Sequence, residues 1–136
     1  MKELFAIKSV EQSGNLTIST TPRGCKFIET DNTETPNLDV QAMFKTQDNQ
    51  FLFYTMSAHI TDGKRTETIM ETIKTVLGLI YKDYGTAITT SIHITDWTTD
   101  TNVIIDPDNP DQITSFDNYS ELLEKANQIF NLHTVH

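Results

Sequence analysis

A change of hydrophobic period in the middle of the chain constrains the fold more than any other feature of the sequence. Four aliphatic residues recur there at the three- and four-residue spacing of one helix face: Ile69, Ile73, Val76 and Ile80. Asp62 or Thr66 can cap the start of this segment, and Gly85 suits its end. The pattern therefore predicts a helix over about 65–84.

The segments around this helix alternate with a period of two, which is typical of half-buried strands. Strands are predicted over residues 2–10, 16–20, 25–29, 40–45, 51–60 and 87–95. Short turn sequences separate the first three strands, so we expect them to form a meander. The run over 51–60 is the longest apolar and aromatic one, and it is the expected central strand.

A second helical pattern occurs near the end of the sequence, over about 119–132. Asn118 and Glu121 have the spacing of a capping box, and an apolar stripe follows them at Leu122, Ala126 and Ile129. Together the elements predict a single α+β domain over 1–136. A mainly antiparallel sheet of five to seven strands is expected to pack against the 65–84 helix, with the C-terminal helix beside it.

The charge of the chain is strongly acidic and unevenly distributed. Nineteen acidic residues stand against ten basic ones, which gives a formal net charge of −9. Such a charge repels nucleic-acid backbones and favours a basic protein partner. No Lys or Arg occurs between Lys82 and Lys125, and this stretch also holds the single Trp. The candidate docking residues are therefore Asp96, Trp97, Asp100, Asp106, Asp108 and Asp111.

Other features bound the compartment and the chemistry. Cys25 is the only cysteine, so no disulfide can form within the chain. We expect a cytoplasmic protein without a membrane span, because no segment approaches about 20 apolar residues. The five glycines build no dinucleotide or phosphate loop, and the acidic loop 106–111 lacks the Gly and closing Glu of a calcium loop. The sequence accordingly predicts no cofactor and no metal.

One tripeptide is repeated at two predicted strand ends: His59-Ile60-Thr61 and His93-Ile94-Thr95. The repeat resembles the paired His-x-Thr/Ser motifs of the 2H phosphoesterase superfamily. In that chemistry one His is a general base, the other is a general acid, and the hydroxyls hold the phosphate. The resemblance implies four candidate catalytic residues: His59, Thr61, His93 and Thr95. The family has an apolar residue after each motif, whereas this chain has Asp62 and Asp96.

The acidic surface predicts a small non-catalytic interaction protein that binds and inhibits a basic partner protein. Immunity proteins, antitoxins and phage-borne inhibitors of host defence fit this description. Two alternatives stay open: a 2H-phosphoesterase-like enzyme, and an oligonucleotide-binding barrel for single strands that stacks bases on Phe51, Phe53 and Tyr54. The enzyme needs both histidines in one cleft, the barrel needs a basic groove, and the inhibitor needs an anionic face. The sequence does not fix the oligomeric state.

Overall fold

The computed structural model describes residues 7–31, 34–85, 88 and 90–105. Within these residues the chain forms seven strands and one helix, an α+β fold as predicted. The elements in chain order are β1 (Ser9–Ser13), β2 (Leu16–Thr20), β3 (Lys26–Thr30), β4 (Leu38–Lys45), β5 (Phe51–Ala58), α1 (Arg65–Tyr84), β6 (Thr90–Asp96) and β7 (Thr101–Ile105).

All seven strands join one sheet in the order β1-β2-β3-β5-β4-β6-β7. The first three strands form the predicted meander, but β3 and β5 run parallel. The sheet is therefore mixed, and the prediction of a mainly antiparallel sheet is wrong. After β3 the chain crosses over to form β4 and then returns through the β4–β5 hairpin. The apolar β5 therefore lies between β3 and β4 and runs parallel to β3. The described strands make an open sheet with β1 and β7 at its edges, and they do not close into a barrel.

Most strand predictions match the structure to within about two residues, with three differences. The strand predicted over 2–10 is displaced, because β1 spans Ser9–Ser13 and residues 1–6 lie outside the described residues. The predicted strand over 87–95 begins later, at Thr90, and β7 was not predicted at all. The predicted helix over 119–132 and the loop over 106–111 also lie outside the described residues.

The core lies between α1 and one face of the sheet. Strand pairing aligns a row of buried side chains across that face, namely Ile18, Ile28, Met56, Val40, Ile94 and Val103. The helix packs on β4 and β5 through a fully buried stripe of Ile69, Ile73, Val76, Leu77 and Ile80. These observations confirm the predicted helix and its buried face, whose burial supplies most of its stability.

A buried tyrosine joins the C-terminal end of α1 to the sheet. The Tyr54 hydroxyl donates a hydrogen bond to Asp83 Oδ2 at 2.6 Å, and Lys26 Nζ lies 3.7 Å from the same oxygen. Burial and the nearby Asp83 carboxylate raise the pKa of the Tyr54 phenol well above its ordinary value. The phenol therefore keeps its proton and remains a donor at neutral pH.

Candidate functional site

Acidic side chains collect at one end of the sheet. Strand register aligns the last residues of β3, β5 and β6 with the first residues of β2, β4 and β7. The β3–β4, β5–α1 and β6–β7 connections therefore all lie at the same end of the sheet. Besides the buried Asp96, these connections and the adjoining strand residues carry six acids. We call this region the acidic end and define it by Glu29, Asp31, Glu34, Asp39, Asp62 and Asp100.

The basic residues described at this end do not balance the acids. Arg65 forms an ion pair with Asp96, which is not one of the six, and Lys64 is the other basic residue at the start of α1. Lys45 and Arg23 lie toward the opposite end, where β4 ends and where β2 turns into β3. The described part of the chain is therefore electrically polarised along the strand direction.

Asp96 is a buried carboxylate and has a structural environment. Its side chain is only 1 % exposed, and it accepts hydrogen bonds from Arg65 Nε and from the backbone N–H of Thr98. Burial raises the pKa of Asp96, but the hydrogen bonds from Thr98 and Arg65 outweigh burial and hold it below its ordinary value. Its carboxylate is thus unavailable to a docking partner, although the sequence had suggested it as a contact.

Asn37 ties the three connections of the acidic end together. Its backbone N–H donates to the Ala58 carbonyl at 2.9 Å, and its side-chain oxygen accepts from the Ile60 N–H at 2.7 Å. Its own carbonyl accepts from the Trp97 N–H at 2.9 Å. One residue therefore fixes the positions of the segments before β4, after β5 and after β6, which makes the acidic end a hydrogen-bonded platform.

Trp97 lies on this platform with most of its surface in solvent. Its side chain is 60 % exposed, yet the indole Nε1–H donates to Asp39 Oδ2 at 3.0 Å. The other oxygen of that carboxylate accepts from Ser57 at 2.8 Å. The indole is therefore held in place while its ring stays exposed, as expected of an aromatic anchor in an interface. Asp100, three residues further on, is also exposed.

The remaining predicted docking residues, Asp106, Asp108 and Asp111, lie outside the described residues. Strand β7 starts at the acidic end with Thr101 and runs away from it, so that Ile105 pairs with Ile92. The structure brings Trp97 and Asp100 together, and it carries the chain away from both before residue 106.

The two His-Ile-Thr motifs do not share a cleft. His93 pairs with Gln41 on β4, and Gln41 pairs with Thr55 on β5, four residues before His59. Two strand spacings across the sheet and four residues along it separate the two histidine Cα atoms by roughly 16 Å. General acid–base catalysis on one substrate requires two groups within hydrogen-bond reach of it.

The side chains of the two motifs also have different partners. His59 Nδ1 lies 2.9 Å from the Thr35 carbonyl, and its Nε2 lies 3.9 Å from Glu34. The motif around His93 instead meets Asn102, whose Oδ1 accepts from Thr95 Oγ1 at 2.8 Å and lies 3.3 Å from His93 Nε2. Thr61 is exposed on the segment before α1.

A depression of about 520 Å³ opens at the acidic end beside the start of α1. Glu34, Asp62 and His59 line it, together with Asn37, Arg65 and Thr98. Two carboxylates in its lining, with the one lining Arg paired to Asp96, make it suited to a cationic side chain rather than to an anion.

Two residues of this site were not identified from the sequence. Asn37 precedes a strand and Arg65 begins the helix, so neither stood out as part of the site. A usable signal existed for Asp96, because Ile92, Ile94 and Asp96 fall on the same face of a period-two strand. An acid on the buried face predicts a buried ion pair rather than a surface contact.

Comparisons with protein-family models, with curated protein sequences and with solved structures found no match. In the part of the chain that the structure describes, no group of three or more His, Cys, Asp or Glu side chains is placed to bind a metal ion. None of the described helical residues form a stretch that is both long and apolar enough to cross a bilayer.

The Arg65–Asp96 pair predicts a specific pH dependence of stability. The pKa of Asp96 is lower in the folded chain than in the unfolded one. At pH values between these two pKa values, the folded state therefore binds fewer protons than the unfolded state. The contribution is complete above the unfolded pKa of about 3.9 and is lost as pH falls through the folded value. Urea denaturation of the wild type and of Asp96→Asn should therefore differ by a constant amount from pH 5 to 7 (about one to three units above that pKa), and the difference should shrink below about pH 4. A gap that stays constant down to the acid unfolding transition would contradict this.

Proposed function

We propose that this chain is a non-catalytic interaction protein whose acidic end docks on a basic surface of a partner protein and blocks it. The observation that carries the proposal is that six acids share one end of the sheet with a fixed, exposed Trp97, with few basic residues described nearby. Charge of one sign on one side of a protein steers a partner of opposite charge and speeds the encounter. An exposed aromatic side chain then supplies short-range contact area.

The rigid backbone of the acidic end supports recognition rather than mere solubility. The hydrogen bonds of Asn37 and Asp96 hold the three connections before any partner arrives. A preorganised surface loses little conformational entropy on binding, so more of the contact energy appears as affinity. The depression between Glu34 and Asp62 offers a place for a Lys or Arg side chain of the partner.

The particular role proposed is that of an inhibitor in the cytoplasm, as an immunity protein, an antitoxin or a phage-borne anti-defence protein. Proteins of these kinds neutralise an active partner by covering it, and a fast, charge-steered encounter suits that task. The composition favours a protein partner over nucleic acid, because nineteen acids against ten basic residues repel a phosphate backbone.

For the fold, we propose that residues 119–132 form the predicted helix and that it packs beside α1. Val103 and Ile105 support this placement: they are buried although β7 is an edge strand. The described helix packs on β4 and β5, two and three strands away from β7. A second helix beside α1, with Leu122, Ala126 and Ile129 toward the sheet, would shield both side chains from water.

Reversing two charges of the acidic end should slow association with the partner. The partner is first captured from the native cell at low salt and released at high salt. The variant Asp62→Lys with Asp100→Lys changes two exposed side chains, and we expect the association rate constant to fall by about tenfold or more. The salt dependence of this rate constant should flatten, because fewer screened charge pairs remain.

A matched variant separates the acidic end from net charge alone. Glu11→Lys with Glu71→Lys makes the same change in net charge at exposed positions on β1 and mid-helix. It should alter the association rate constant far less, and thermal melting should show that both double variants stay folded. Equal slowing by the two double variants would mean that total charge, rather than the acidic end, drives binding.

A further inference from the structure

The sheet face turned away from α1 is uncovered by any described element and is partly apolar. Met43 is 49 % exposed and Phe51 is 75 % exposed on this face, and the half-buried rings of Phe27 and Phe53 meet edge to face with centroids 5.6 Å apart. Val10 on β1 and Ile104 on β7 add exposed apolar side chains at the two edges of the sheet. We call this surface the open face and define it by Val10, Phe27, Met43, Phe51, Phe53 and Ile104.

We propose that a second copy of this chain packs on the open face, so that two sheets stack face to face in a two-fold dimer. The open face is one whole face of a seven-stranded sheet, which suits another sheet better than a helix or a peptide. Two such sheets pack about 10 Å apart with strand directions about 30° from each other, and their side chains interdigitate. Exposed apolar side chains that recur across a whole sheet are unusual on a monomer and indicate an interaction surface.

The dimensions of the open face agree with what a stable dimer requires. Seven strands of five to eight residues form a face roughly 29 Å wide and roughly 17–26 Å long, at about 4.8 Å between strands and about 3.3 Å per residue. The flat area is therefore roughly 500–750 Å², before the relief of side chains is added. A stable interface buries about 800 Å² on each partner, so the open face reaches this size when nearly all of it is in contact and the relief of its side chains is included.

Charge on the open face is arranged so that two copies complement each other. Along β4, Asp39 lies toward the acidic end and Lys45 lies at the far end, with Met43 between them on the same face. A two-fold axis in the interface, perpendicular to β4, reverses one sheet relative to the other. Lys45 of each copy then lies near Asp39 of the other, and the Met43 side chains meet near the axis.

This self-complementarity is the reason for choosing a second copy as the occupant. An isologous interface needs one patch that fits itself, which means both signs of charge related by the axis and apolar residues near its centre. A partner with a uniformly basic surface fits the acidic end but would meet Lys45 on the open face. The two surfaces meet at Asp39 but are otherwise made of different residues and are suited to different partners, and this inference does not depend on the proposed function.

Sedimentation equilibrium of the full-length chain tests the dimer. The wild type should show a concentration-dependent mass that approaches twice the 15.5 kDa of one chain. Met43→Asp places a charge near the centre of the proposed interface, and we expect it to raise the dimer dissociation constant by about tenfold or more. The side chain is already exposed in one copy, so at concentrations where both proteins are monomeric circular dichroism should show an unchanged melting temperature.

A matched control adds the same charge at another exposed apolar residue. Ile7 precedes β1 and is not part of the open face, so Ile7→Asp should dimerise like the wild type. A wild type that stays monomeric at all concentrations overturns the proposal, whether the open face stays bare or takes a different protein. A dimer that Met43→Asp does not weaken overturns it as well, because the contact then lies elsewhere. Asp62→Lys with Asp100→Lys should leave the dimer intact, so failure of this inference and failure of the proposed function are distinguishable.

Discussion

Replacing Arg65 with Met should lower the free energy of unfolding by about 3–5 kcal/mol, the usual cost of removing one partner of a buried ion pair. The substitution preserves most of the side-chain volume but leaves the Asp96 carboxylate buried and without its cation. That carboxylate also anchors the Thr98 N–H, so the segment that carries Trp97 should loosen at the same time. Urea denaturation at pH 7 measures the change, and the fluorescence of the single Trp reports on the loosening.

Two further variants test whether the loss of stability comes from the uncompensated Asp96 carboxylate. Lys64→Met removes the neighbouring exposed cation and should change stability by about 0.5 kcal/mol or less. Asp96→Asn introduced into the Arg65→Met background removes the uncompensated charge, so it should recover part of the loss. If Arg65→Met costs no more than Lys64→Met, then solvent reaches the pair and Asp96 is not held as described.

Replacing Ile73 with Ala should cost about 2–5 kcal/mol, because it removes a fully buried side chain between α1 and the sheet and leaves a cavity. Neighbouring side chains of the helix stripe are themselves fully buried, so the site has little freedom to collapse around the loss. The same denaturation experiment measures the effect. Glu71→Ala, two residues earlier and exposed, is the matched control and should change stability by about 0.5 kcal/mol or less. An equally small effect of Ile73→Ala would contradict the packing of α1 on β4 and β5.

The helix could be predicted closely because its signal is local. Ile69, Ile73, Val76 and Ile80 repeat over less than 20 residues, and the start and end signals flank the same segment. The strands from β2 to β5 were recognisable for the same reason, since alternation needs only neighbouring residues. β7 escaped prediction because Val103, Ile104 and Ile105 are consecutive aliphatic residues that show no alternation, and because the strand follows directly on a turn at 97–100.

Strand order could not be predicted, because alternation says which residues share a face and not which strands are neighbours. Nothing in residues 26–30 indicates that they pair with β5 rather than with β4, the next strand in the chain. The pairing of β3 depends on which strands are buried in the middle of the assembled sheet. Strands β4 and β5 alternate buried side chains over eight residues each and occupy that middle. Burial of that kind is a property of the assembled sheet.

The candidate site was predicted only in part, for a related reason. Trp97 and Asp100 are neighbours in sequence, and the structure places both at the acidic end. The other acids of that end come from before β4 and from before α1, and strand register alone brings them to Trp97. A gap in basic residues along the sequence identified an acidic stretch, whereas the surface is assembled from three separate stretches.

The parallel pairing of β3 with β5 has a consequence for how the molecule opens. The N-terminal meander joins the rest of the sheet through that single ladder, which aligns only four residue pairs, from Lys26 with Tyr54 to Glu29 with Ser57. The β4–β5 hairpin aligns eight pairs and lies under α1. Cooperative units of unequal stability open at different free energies, and the unit with fewer buried contacts opens first. Amide hydrogens of β1, β2 and β3 should thus exchange with solvent deuterium as one group, ahead of those in β4 and β5. Each opening of this group briefly exposes an edge of β5, while the acidic end keeps its Asn37 and Asp96 anchors.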